Sequence, residues 1–70
     1  MRIKYFEDTD TALVEFSPNP PVETKELNEN IYLDLDLEGR VVSMTIEHAS
    51  QSARMEEFMF QRIPANVAVT

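Results

Sequence analysis

The residues best suited to chemistry fall in one short run. Asp34-Leu35-Asp36-Leu37-Glu38-Gly39 sets acidic side chains at the first, third and fifth places and glycine at the sixth, which is how a calcium-binding loop opens. Such a loop closes on a bidentate glutamate at its twelfth place and is flanked by helices. Here the twelfth place is Thr45, and the run holding Asp34 and Asp36 alternates as a strand does. The two acids therefore read as the solvated face of a strand, and a divalent-metal-dependent enzyme built on them is the third of three functional readings. His48 is the single histidine. Catalysis or ligation by an imidazole needs a partner group, and the neighbouring Glu47 would point to the opposite face of a strand. We expect His48 at the junction of a strand and the following helix, bonded to backbone or water.

Composition excludes other chemistries. The chain has no cysteine, which removes disulfides, thiolate zinc sites and a thiol nucleophile. Its one glycine cannot make a glycine-rich phosphate loop or a glycine-flanked serine elbow. No catalytic, cofactor-binding or metal-binding residue is expected, and no cofactor. Thirteen acidic against six basic residues give a formal charge of −7, which argues against nucleic acid and against an anionic membrane surface. The same charge suits a basic protein partner. No apolar run approaches a membrane span. Met1 to Phe6 leads at once into Glu7 and Asp8, without the apolar stretch of a signal peptide. The expectation is a cytoplasmic, bacterial protein.

The elements that carry these residues follow from periodicity. Arg2 to Phe6 and Ala12 to Phe16 predict two strands around the polar turn Glu7 to Thr11, where aspartate can bond neighbouring backbone amides. Residues 17–30 read as a connector that begins with the prolines Pro18, Pro20 and Pro21, which cannot donate to a ladder; its polar second half is loop or a short irregular strand. Ile31, Leu33, Leu35 and Leu37 alternate with Tyr32, Asp34 and Asp36, the period of a half-buried strand. Glu38-Gly39 makes a tight turn, and Arg40 to Glu47 returns with Val42, Met44 and Ile46 on the same apolar face.

From Ala49 to Ile63 the residues predict a helix, capped by Ser50 and stopped by Pro64. Helical spacing gathers Ala49, Ala53, Met55, Met59, Phe60 and Ile63 on one arc able to cover the sheet, with Glu56 inside it. Phe58 falls on the outer face and is the candidate protein-interface residue. The tail 64–70 is β-prone. The whole chain, residues 1–70, reads as one small α+β domain: an antiparallel sheet of about four strands, formed by two β-hairpins and covered by one C-terminal helix.

The order of features resembles a known family. Tyr5-Phe6, an acidic turn and Asp10-Thr11-Ala12-Leu13-Val14 resemble the motif Y-D-x-x-x-D-x-L-Y-I. Ile31 to Val42, closing through Ile46-Glu47-His48-Ala49-Ser50, resembles a strand, turn and strand ending in G-R-L-V-G-I-E-I. Phe6 stands where that pattern has aspartate, and Ser43 and Thr45 where it has glycine and glutamate. The match covers about Lys4 to Ser52 and is similar to the bacterial family called domain of unknown function 2283. It implies a small β-rich domain with a C-terminal helix and carries over no activity and no catalytic residue.

Size sets the functional expectation. A domain this short buries only about 60% of its unfolded surface and usually needs a staple or a partner. With disulfides and thiolate zinc excluded, self-association is the remaining source of buried area. The first reading is a non-enzymatic protein-binding or self-assembling module, a homodimer. The second is an antitoxin-like inhibitor of a basic partner protein.

Overall fold

The computed structural model describes residues 1–65. It is a single five-stranded antiparallel sheet: β1 (Arg2–Phe6), β2 (Thr11–Glu15), β3 (Glu23–Asn28), β4 (Ile31–Leu35) and β5 (Val41–Glu47), in the spatial order β1-β2-β5-β4-β3. Three of the four neighbouring pairs are consecutive in sequence. The fourth, β2 with β5, joins the N-terminal hairpin to the rest.

The alternation of residues 31–47 fixes the register as expected. Ile31 lies opposite Ile46 and Leu33 opposite Met44, so the apolar side chains of both strands share a face. The Glu38-Gly39 turn closes this hairpin with Gly39 at φ 83°, a backbone region that glycine enters without strain. A bulge then shifts the register, so that Leu35 faces Val41. The extra residue, Val42, is buried along with Leu35. Leu37, part of the same sequence alternation, has already left the strand and is 86% exposed.

The connector 17–30 runs as far as Val22; its polar second half, expected as loop or a short irregular strand, is the edge strand β3 (Glu23–Asn28), paired with β4 and bulged after Glu26. Every residue of β3 is exposed, so neither face imposes an apolar period. The sheet accordingly has five strands and not about four.

The predicted helix over Ala49–Ile63 is absent. Ala49–Gln51 forms one 3-10 turn, and residues 54–65 hold no regular secondary structure. The fold is therefore a sheet with no covering helix, and not α+β. The reasons are local. His48 precedes the turn at φ 53°, a left-handed conformation, and offers no side-chain cap. Ser50 does not cap a helix: its hydroxyl donates to Asp10 Oδ2 at 2.7 Å. Beyond the turn the apolar residues Phe58-Met59-Phe60 are contiguous rather than spaced by three and four, and an isolated helix of about this length is marginal in water without a packed face. The β-prone tail lies, beyond Ala65, outside the described residues.

Candidate functional site

Strand pairing divides the sheet into two unlike faces. Residues directly opposite one another share a face, so Ile3 and Tyr5 of β1, Ala12 and Val14 of β2, Met44 and Ile46 of β5, and Ile31 and Leu33 of β4 fall on one side. The other side carries Arg2, Lys4, Glu15, Ser43, Thr45 and Asp34, with Leu13 among them. There Glu15 meets Arg2 at 3.9 Å and Lys4 at 3.8 Å, while Asp34 accepts hydroxyl hydrogen bonds from Thr24 at 2.6 Å and Ser43 at 2.8 Å. The solvent-facing ion pairs of Glu15 contribute little, and Ser43 lies buried beneath its bond to Asp34.

The apolar side is closed only at its ends. At one end the connector from β2 crosses to the far edge. It is held by the Phe16 amide donating to the Val42 carbonyl and the Val22 amide donating to the Leu35 carbonyl, each at 2.8 Å. Asp36, buried itself, fastens this end: it accepts from Asn19 Nδ2 at 3.1 Å, the Glu38 amide at 3.0 Å and the Arg40 amide at 2.9 Å. Those amide bonds and the Asn19 amide group hold its carboxyl below the usual aspartate range.

At the other end sits a second polar knot, around Asp10. The Tyr5 hydroxyl donates to Asp10 Oδ1 at 2.6 Å. The Ser50 amide donates to the same oxygen at 3.0 Å, and the Ala49 amide donates to the Asp10 carbonyl at 2.9 Å. Asp10 itself is left-handed, at φ 56°, which aspartate tolerates better than most residues. These contacts draw Ala49 down until it is 1% exposed. The Tyr5 hydrogen bond, then those of Ser50, keep the Asp10 carboxyl below its ordinary value. The same bond, with desolvation and the charge of Asp10, pushes the Tyr5 phenol up to about 12.

Between the two ends the apolar face is half-buried: Tyr5, Val14, Ile31, Leu33, Met44 and Ile46 are partly covered and Ile3 is exposed. Among the described residues Ala12, Leu35, Val42 and Ala49 are the buried hydrophobic ones, and no large side chain is fully buried. The C-terminal arm is residues 53–65, and its first part, to Phe60, runs along the β1–β2 side without closing on it. An open groove of about 970 Å³ lies between this part and the sheet, lined by Ile3, Val14, Ile46, Met55, Phe58 and Phe60 among others. On the arm, Phe58 is 65% exposed, Met59 77% and Phe60 63%.

The sequence-derived candidates are thus dispersed. Asp34 and Asp36 take separate sets of partners and do not converge, and among the described residues no group of three or more metal-ligating side chains is placed to hold an ion. Exposed His48 closes β5 through its left-handed backbone, and its carbonyl accepts from the Gln51 amide at 3.0 Å. Phe58 is exposed as expected, but from an irregular arm rather than the outer face of a helix. What sequence reasoning missed is that, among the described residues, no helix covers the apolar face. The Tyr5–Asp10–Ser50 knot was also missed; its signal was an aspartate at the last place of a turn, where a left-handed residue can reach forward. No helix is long and apolar enough to cross a membrane among the described residues.

No curated protein and no solved structure matches the chain. A family model described as "Protein of unknown function (DUF2283)" matches residues 2–50, the stretch that begins with β1, includes both polar knots and ends at Ser50. The chain belongs to the DUF2283 family.

Proposed function

We propose that this protein is a non-enzymatic self-assembling module whose working form is a homodimer, with two sheets stacked through their apolar faces. The observation that carries this reading is the uncovered face itself. A lone sheet with one apolar side has to bury that side against a second layer, and the described residues supply no helix to do so. A compact monomer of 8.1 kDa would expose about 4,500 Å², whereas this chain exposes 5844 Å². The surplus of about 1,300 Å², to which the exposed arm residues Phe58, Met59, Phe60 and Ile63 contribute, exceeds the roughly 800 Å² that each partner buries in a stable interface. Face stacking is favoured over edge pairing, because the β3 edge carries Glu23, Lys25 and Glu26 and is broken by a bulge after Glu26, devices that blunt strand addition.

Sedimentation equilibrium at micromolar concentration tests this. The expected mass is twice 8.1 kDa; a monomer throughout overturns the proposal. Leu33→Glu, on the apolar face, is expected to give monomer, while Thr45→Glu, on the polar face, leaves the dimer intact. Dimers from both variants would place the contact elsewhere. The absence of cysteine suits a reducing compartment and supports a cytoplasmic location.

A further inference from the structure

The C-terminal arm lines the groove beside its own sheet but takes no regular secondary structure past its root. Among the described residues its last backbone tie to the fold is the Ala53 amide donating to the Ala49 carbonyl at 3.0 Å. Past that point it carries Met55, Phe58, Met59, Phe60 and Ile63, more apolar bulk than any strand of the sheet, and all but Met55 are exposed. It also lies beyond the segment that the family model matches, so it is an addition to the sheet and not part of its framework. The molecule is drawn out accordingly. Its radius of gyration is 15.2 Å, against about 11 Å for a compact domain of this length.

The geometry points to reciprocal arm exchange: residues 53–65 of one copy lie in the groove of a second copy, with Phe58 and Phe60 filling the cavity between that copy's arm root and its Ile3, Val14 and Ile46. This rests on the homodimer reading and specifies how the dimer closes. Three observations support a second copy as the occupant. The groove is lined on the sheet side by Ile3, Ala12, Val14 and Ile46 with the Tyr5 ring and Met1 beside them, and the arm offers aromatic and thioether groups that suit such a lining. Reach is sufficient: extended chain advances about 3.3 Å per residue, so residues 53–65 span on the order of 40 Å, whereas stacked sheets lie only about 10 Å apart. The surplus surface is also large enough for a two-fold interface in which each arm is bound once. Because the contact is isologous, the dimer closes and leaves no free groove for further copies.

The test uses the cysteine-free chain at full length. One variant carries Ile3→Cys and another Met59→Cys, residues that line the same cavity from sheet and arm. The two are mixed under reducing conditions, allowed to exchange, oxidised, and analysed by mass spectrometry. Arm exchange predicts a disulfide that joins one variant to the other as the main product. It also predicts that the double variant Ile3→Cys/Met59→Cys forms covalent dimers rather than a loop within one chain. A protein that still sediments as a dimer but yields only intrachain disulfide in the double variant would overturn arm exchange and leave the stacked dimer standing. A monomer whose groove binds an apolar dye would overturn both.

Discussion

Asp10 and Asp36 do comparable work at opposite ends of the sheet, and each is legible as a carboxylate that collects amide and hydroxyl donors. Their folded-state carboxyls titrate below the ordinary value of about 3.9. A depressed carboxyl contributes stability that is complete above its unfolded value and is lost as the pH falls through the lower folded one. The melting temperature should therefore hold down to about pH 4 and fall below it, and Asp10→Ala should flatten that acid limb while lowering the melting temperature at neutral pH. Tyr5 acts in the opposite sense. Its phenol is raised to about 12, so its contribution is present below the unfolded value of about 10 and is lost as the pH climbs from there toward about 12. Tyr5→Phe should remove that alkaline loss, read by thermal melts across the range. At Gly39, by contrast, an added Cβ would meet no atom within 4 Å, so Gly39→Ala should cost only the left-handed backbone strain of about 1–2 kcal/mol. Gly39→Asn should cost less, as denaturant titration will show.

The hairpin β4–β5 was readable because one of its faces is half-buried and the other wet, which imprints a period of two. That logic holds up to the bulge and then fails. Leu35 and Leu37 look equivalent in the sequence, yet one is buried and the other almost bare. Leu35→Ala should cost about 2–3 kcal/mol through the cavity it leaves, and Leu37→Ala should change stability by less than about 0.5 kcal/mol, measured by urea unfolding. β3 left only an ambiguous imprint, loop or short irregular strand, because it is exposed on both sides. The expected helix failed for the converse reason: apolar residues over Ala49–Ile63 can be laid on a helical arc, but nothing in this chain rewards them for adopting it. Far-UV circular dichroism should show a sheet spectrum without a helical double minimum.

As a whole the molecule is one layer with its ends fastened and its middle open. If apolar stacking holds the dimer, raising the salt concentration should leave it intact, whereas an association driven by the charge of −7 with a basic partner would weaken as screening grows; sedimentation in low and high salt separates the two. By itself the sequence determined the strands with a buried face, the turn at Gly39, the family resemblance and the lack of thiol chemistry, because each is a local pattern or a matter of composition. Tertiary structure alone decided that β2 pairs with β5, that the connector crosses one end of the sheet, that Asp10 reaches Ser50 forty positions away, and that no helix among the described residues covers the apolar side. Those outcomes depend on which surfaces meet, and that choice falls to long-range pairing rather than to any local run of residues.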